Sequence, residues 1–105
     1  MRFDQFLELY YEDMEKRLKE STVRTKKYII DLKIRPYFGN RAINEIKAPD
    51  IRKWQNTLMN KGYSQTYLKT VHNQLAAIFN YAERYYELKN NPCKKAGSMG
   101  KAKAE

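Results

Sequence analysis

The sequence is poor in the residues that build catalytic, metal and disulfide sites. Cys93 is its only cysteine and His72 its only histidine, so one chain can form no internal disulfide and has no Cys/His set for zinc. No glycine-rich phosphate loop is present, and no nucleophilic residue lies at a sequence spacing from His72 that would indicate a catalytic pair. We therefore predict a non-enzymatic protein without metal, cofactor or small-molecule substrate.

Long apolar runs are also missing. The opening residues, MRFDQFLELYYEDMEK, contain acids where a signal peptide would be apolar, and no segment approaches the roughly 20 apolar residues of a membrane span. Together with the lone cysteine, this indicates a cytoplasmic protein with no membrane partner. Mean hydropathy is −0.88 while 42% of residues are hydrophobic, which is typical of a folded domain with a strongly polar surface.

Positive charge is what the sequence has in excess. Its 105 residues have a formal net charge of +9 and a pI of about 9.7. Residues 1–20 contain four basic and six acidic residues, a net of −2, whereas residues 21–105 contain seventeen and six, a net of +11. This distribution favours a polyanionic partner for the part of the chain after the first helix.

The most informative stretch is the helix predicted within residues 62–86, with Ser64 or Gln65 at its N-cap. One side has an apolar stripe at helical spacing, typical of a core-facing surface. The opposite side has no carboxylate and consists of Gln65, Thr66, Lys69, Thr70 and Asn73. Gln and Asn suit base edges and Lys and Thr suit phosphates, so this side is a candidate nucleic-acid surface. Taken alone, the helix fits a solvated face equally well.

Three further helices are predicted, at about residues 2–19, 22–35 and 48–60. Ser21 and Thr22 supply an N-cap for the second, whose two apolar stripes predict burial from two directions. Near its N-terminus Arg24 and Lys27 can face outwards, where free N–H groups favour phosphate, and an ordinary exposed basic surface explains each of them equally well. The turn PYFGN should end it, with Gly39 in a left-handed cap.

The third helix and the chain end complete the predicted architecture. Trp54 lies on the apolar stripe of the third helix and is expected to be a core anchor. Pro92 ends the principal helix, and the following CKKAGSMGKAKAE has no apolar periodicity. We predict an all-α four-helix bundle over residues 1–92 and a flexible basic tail over residues 93–105.

These landmarks together resemble a known family. The ordered pieces are FDQFLELYYEDM, then IRPYFGNRAINEIKAPDIRKWQNTL, then KGYSQTYLKTVHNQLAAIFNYAERYYELKNNPC. Each piece is weakly specific, but their order and spacing over about residues 3–93 resemble the SAM-like core-binding domain of the tyrosine recombinases, the phage and transposon integrases. The resemblance departs at Lys26, where an aromatic residue is common, which puts the phase of the second helix in question.

The resemblance implies a DNA-binding role. In that family this domain and a later catalytic domain form a clamp around double-stranded DNA at the recombination site, using the second and fourth helices of this domain. The matching positions here are Thr22, Thr25, Ser64, Thr66, Lys69 and Asn73, with Lys94 and Lys95 where an interdomain linker follows the DNA backbone. The catalytic residues of the family lie in the later domain, so the chain is expected to be a non-catalytic part of a DNA-cutting and rejoining recombinase.

Two other interpretations use the tyrosines. A helical protein-interaction module would use an aromatic surface of Tyr10, Tyr11, Tyr85 and Tyr86 to hold a second recombinase protomer. A single-stranded RNA-binding protein would stack bases on tyrosines and would prefer single strands over duplex. Self-association tighter than DNA binding would favour the first of these.

Overall fold

Helices form about three quarters of the structure, a computed structural model that describes residues 1–99. The helices are α1 (Phe3–Arg17), α2 (Glu20–Lys33), α3 (Arg35–Phe38), α4 (Ala48–Met59), α5 (Gln65–Tyr85) and α6 (Pro92–Ala96), with a 3-10 turn at Ile43–Glu45. The predicted all-α class and its four long helices are confirmed, and two short helices are added. Within the described range, no helix has the combination of length and apolar character needed to cross a bilayer.

The core lies between α5 and the other helices. Leu68, Val71, Leu75, Ile78 and Phe79 form the buried stripe of α5, and each is at most 2% exposed. The apolar side of α1 packs onto this stripe; for example, the rings of Phe3 and Phe79 lie 5.8 Å apart. At the start of α5 the Ser64 hydroxyl accepts a hydrogen bond from the Tyr67 amide at 3.1 Å, which confirms Ser64 as the N-cap.

Trp54 anchors α4 in this core, as the sequence predicts. Its side chain is fully buried, and the indole Nε1–H donates to the carbonyl oxygen of Lys33 at 2.8 Å. That carbonyl belongs to the last turn of α2, where backbone carbonyls have no N–H partner within the helix. Trp54 thus combines a large apolar burial with satisfaction of a helix-end acceptor.

The α2 helix differs from the prediction in two ways. It begins at Glu20 with Lys19 as N-cap and no capping side chain, so Ser21 and Thr22 lie in the first turn instead of capping it. Its second apolar stripe is also divided, because Ile29 is 7% exposed whereas Tyr28 and Leu32 are 67% and 47% exposed. The prediction of burial from two directions therefore holds only in part: Ile29 lies in the core, whereas Tyr28 and Leu32 lie on the surface.

The PYFGN turn also has a different geometry. Pro36 lies in the first turn of the short helix α3, and Gly39 follows it with φ −56° and ψ −37°, a right-handed conformation. Glycine is needed there for space, since a Cβ would lie 2.8 Å from the carbonyl oxygen of Arg35. The predicted left-handed cap at Gly39 is wrong, and close approach of the backbone replaces it as the reason for glycine.

The predicted flexible tail is corrected over its first seven residues, 93–99. Asn91 caps α6 by accepting hydrogen bonds from the amides of Cys93 and Lys94, at 3.0 and 3.3 Å. Cys93, Ala96 and Met99 are buried in the main core. Side chains of α4 fix the segment, because Arg52 donates to the Ala96 carbonyl and Gln55 to the Gly97 carbonyl. The packed region extends to Met99, and the rest of the predicted tail, 100–105, lies outside the described residues.

Candidate nucleic-acid interface

The side of α5 opposite its core stripe is exposed, and we call Gln65, Thr66, Lys69, Thr70 and Asn73 the polar face of α5. All of these side chains are exposed except Thr70, which is half-buried. The hydroxyl of Thr70 donates to the Thr66 carbonyl at 3.0 Å, so its proton is used within the helix. The structure therefore brings these five predicted residues to one continuous surface, with Ser64 at its beginning.

Thr22 and Thr25 of α2 lie next to this surface. They line a shallow groove with Ser21 and Lys26 of the same helix and Gln74 of α5, which we call the α2–α5 groove. The Lys26 ammonium donates to Gln74 Oε1 at 2.9 Å and so joins the two helices across the groove. The structure thus places the two predicted threonines beside the polar face of α5.

Arg24 and Lys27, also predicted from α2, do not line the α2–α5 groove. Arg24 forms an ion pair with Glu20 at 3.5 Å on an exposed part of the helix. Lys27 forms an ion pair with Glu15 of α1, and its ammonium lies 5.2 Å from the centre of the Tyr11 ring. Both cations already have acidic partners, and Lys27 is on the α1 side of α2, so the structure does not bring Lys27 together with the α2–α5 groove.

Lys94 and Lys95 are both exposed on α6. Lys94 forms an ion pair with Glu83 near the end of α5 at 3.1 Å, which keeps it near the C-terminal half of that helix. Lys95 lies in a depression formed with Pro49, Arg52 and Lys53 at the start of α4. Both lysines also line a wider depression with residues of the 43–49 segment and the chain between α5 and α6, and only Lys94 is tied to α5 by an ion pair.

His72 and Cys93 meet in the interior, away from these surfaces. The His72 ring lies 3.4 Å from Gln55 Nε2 through Nδ1 and 3.9 Å from Cys93 Sγ through Nε2. Burial lowers the pKa of His72 and raises the pKa of the Cys93 thiol to about 11. A neutral imidazole and a protonated thiol are the expected forms at neutral pH. Across residues 1–99 no group of three His, Cys, Asp or Glu side chains is placed to hold a metal ion.

The aromatic surface predicted as a protein contact is divided by the fold. Tyr10 and Tyr11 are core residues, at 2% and 5% exposure, whereas Tyr85 and Tyr86 are 61% and 48% exposed at the end of α5. Tyr81 lies between the two pairs, with its ring centre 5.1 Å from that of Tyr10 and 5.0 Å from that of Tyr85. Only Tyr85 and Tyr86 remain available to a partner.

Comparison with known proteins agrees with this architecture. The sequence profile of the phage integrase N-terminal SAM-like domain matches residues 2–59, more than half of the chain. The chain belongs to this integrase family. Over 91 residues it is 30% identical to the ICEBs1 integrase of Bacillus subtilis (strain 168), covering 87% of this chain and 25% of that protein. This integrase domain therefore spans about a quarter of the length of that relative.

The fold of the integrase domain is also found in a solved structure. The solution NMR structure of an integrase-like domain from Bacillus cereus superposes with a TM-score of 0.85, covering 99% of this chain and 87% of that one. At 16% sequence identity this likeness concerns the fold alone. The matched family is the N-terminal SAM-like domain of integrases and not their catalytic domain.

Sequence reasoning did not select Lys26 or Gln74 as site residues, although both line the α2–α5 groove. Lys26 lies at helical spacing between Val23 and Ile30 in α2, where it looks like an interruption of a core stripe. Gln74 lies at the edge of the polar face of α5, two residues before the apolar Ala76. The departure from the family pattern at Lys26 was the only signal that this position is unusual.

Proposed function

We propose that this integrase domain is a DNA-binding module that clamps duplex DNA at the recombination core site of a site-specific tyrosine recombinase. The observation that supports it best is the polar face of α5, an exposed helical surface with Lys69 and without a carboxylate. A helix of this width fits the major groove of B-DNA, where amide side chains pair with base edges. The domain itself would perform no catalysis, and cutting and rejoining would belong to another part of the recombinase.

The distribution of acidic residues supports DNA binding through the polar face of α5. Acidic side chains of α1 are engaged with neighbouring groups: Asp13 with Arg17, Glu8 with Arg35, and Glu15 with Lys27. In α5 the first acid is Glu83, in the last turns of the helix. A DNA backbone approaching the first four turns of α5 would therefore meet no like charge from that helix.

Binding should depend on salt, because lysines that contact phosphates release condensed counterions. With one to three such contacts, the slope of log K against log salt is about −0.9 to −2.7, a loss of about 3- to 40-fold in affinity between 50 and 200 mM salt. For the isolated domain we expect a Kd on the order of micromolar or weaker at physiological salt, as for non-specific contacts.

The test is a titration of the isotopically labelled domain with a short duplex, followed by backbone amide NMR at low and moderate salt. We expect shifts at residues 64–73 and at the start of α2 that weaken as salt rises. The same strand without its complement is the control, since tighter binding to it would favour single-stranded RNA or DNA as the ligand. No shifts at low salt would contradict DNA binding.

Two variants separate backbone contact from base recognition. Lys69→Ala should weaken binding to every duplex by a similar factor, because a phosphate contact is independent of sequence. Asn73→Ala should reduce the preference among sequences if Asn73 contacts a base edge. Equal losses on all duplexes for Asn73→Ala would remove its proposed role in base recognition.

A second candidate function, contact with another recombinase protomer, is favoured by the exposure of Tyr85 and Tyr86. Aromatic side chains of this kind are enriched where protein partners meet. Sedimentation equilibrium with and without duplex tests this function. Self-association that is tighter than DNA binding, and is lost in Tyr85→Ser, would support this function. A monomer at all concentrations would contradict it and leave DNA binding as the one proposed function.

A further inference from the structure

We propose that Lys26 and Gln74, which join α2 to α5, form a two-pronged site for one phosphodiester of the DNA backbone. This inference rests on the proposed DNA-binding function and assigns a specific contact to it. The site is the α2–α5 groove, and neither Lys26 nor Gln74 belongs to the contacts that the family resemblance implies.

Lys26 is a half-buried cation without an acidic partner. Within residues 1–99 no carboxylate forms an ion pair with it, and its ammonium lies 5.6 Å from the centre of the Tyr10 ring. Burial lowers the pKa of Lys26, which reflects the cost of holding this charge away from water. A lysine in such a place gains from an external anion more than a fully solvated lysine does.

The hydrogen bond between the two residues fixes the orientation of the Gln74 amide. An ammonium group has only donors, so the atom that faces Lys26 at 2.9 Å must be the carbonyl oxygen Oε1. The Nε2 amino group therefore points away from Lys26. In the part of the chain that the structure describes, Nε2 has no hydrogen-bond acceptor, and its donors are available to a ligand.

The walls of the groove suit an anion. Ser21, Thr22 and Thr25 complete the lining, and their hydroxyls have no hydrogen-bond partner among the described residues. No acidic residue lines the groove. Donors from Lys26, from Gln74 and from these hydroxyls thus surround a space that contains no negative charge.

A phosphodiester fits this space better than a base edge does. It has a negative charge that would balance the Lys26 cation, and its two non-bridging oxygens can accept one hydrogen bond from the ammonium and one from the amide. A base edge offers acceptors but no balancing charge. Because the groove borders the polar face of α5, a strand held here would run alongside that helix.

The first test is Gln74→Glu in the whole domain, with duplex binding measured by fluorescence anisotropy at several salt concentrations. The new carboxylate would accept from Lys26 as Oε1 does, so thermal unfolding should show a Tm no lower than that of the parent. It would also neutralise Lys26 and repel a phosphate, and we expect binding at least tenfold weaker at 50 mM salt. Equal affinity with an intact fold would overturn the proposal.

Lys26→Met supplies an independent readout, with Lys16→Met on α1 as the charge-matched control. Loss of one phosphate contact should make the slope of log K against log salt shallower by about 0.9 for Lys26→Met and leave it unchanged for Lys16→Met. Equal slopes for the two variants would contradict a phosphate contact at Lys26. If Lys26→Met does not fold, Gln74→Glu alone decides.

A duplex with one neutral methylphosphonate at a time locates the contact. At one position the substitution should weaken binding by the parent domain but not by Lys26→Met, since the neutral phosphonate and the lysine substitution remove the same interaction. If the parent binds duplex and no position behaves in this way, the phosphodiester site is wrong and the proposed function stands. If the parent binds no duplex at low salt, both proposals fall.

Discussion

Replacing Met99 with alanine tests whether the segment after Pro92 is part of the folded domain. Met99 is 5% exposed and belongs to the main hydrophobic core. In a flexible tail its side chain would be in water in both the folded and the unfolded state, and the substitution would leave stability unchanged. Since the structure buries it, Met99→Ala should lower the free energy of unfolding.

The expected loss follows from the burial. Removing a buried methionine side chain typically costs about 2–5 kcal/mol, from lost transfer free energy and the cavity left behind. Met99 follows the short helix α6, where the chain can shift to fill part of the cavity, so we expect about 2–3 kcal/mol. The loss is limited by the free energy with which residues 92–99 dock, because undocking the segment removes the cavity altogether.

Urea unfolding followed by circular dichroism measures this difference, with Met59→Ala as the control. Met59 lies at the end of α4 with 36% of its surface exposed, and its truncation should change stability by no more than about 0.5 kcal/mol. A Met99→Ala variant within about 0.5 kcal/mol of the parent would refute stable docking of α6. A loss of 2 kcal/mol or more with an unchanged urea slope would support it.

Two further predictions concern partly buried hydrogen bonds. Trp54→Phe should destabilise the domain by about 2–4 kcal/mol in urea unfolding, because it leaves a cavity and removes the donor to the Lys33 carbonyl; an effect below about 1 kcal/mol would contradict its role as an anchor. The Tyr81 hydroxyl donates a hydrogen bond to Asp13 at 2.6 Å, and this bond, followed by the one from Arg17, lowers the pKa of Asp13 below 3.8. The contribution of the Asp13 carboxylate to stability is therefore present above pH 3.8 and is lost as pH falls through the lowered pKa. Tyr81→Phe should therefore unfold at lower urea than the parent at pH 7, with the difference shrinking towards pH 2; a constant difference would refute this linkage.

The long helices were predictable because each satisfies a local rule and the global fold together. In α5 the apolar spacing, the Ser64 cap and Gly62 with φ +82° agree with one another, and the structure follows them. The polar face of α5 followed from the same phase, since fixing the buried stripe of a helix also fixes its exposed side. The position of α2 beside that face depends on tertiary packing, which the pattern of α5 does not show.

Short helices and loops escaped prediction because tertiary contacts decide them. The four residues of α3 and the five of α6 are too few for a periodic pattern. Cys93, Ala96 and Met99 form a buried set only once Arg52 and Gln55 of α4 hold the intervening carbonyls. A segment rich in Lys, Gly and Ala therefore resembles a linker in sequence although it packs in the structure.

The net charge of +9 is a poor guide to the proposed DNA-binding surface, because many cations are already paired. Seven of the basic residues in the described part of the chain form ion pairs, among them Arg24, Lys27 and Lys94, which the sequence had placed in the interface. Composition counts these cations equally with Lys69 and Lys26, for which no ion pair exists within residues 1–99. Each of these surface pairs is worth about 1 kcal/mol or less, but its carboxylate also repels an approaching phosphate, whereas an unpaired lysine has no such carboxylate beside it. The pairing pattern thus moves the strongest candidates for phosphate contact away from the α1 side of α2 and towards the seam between α2 and α5.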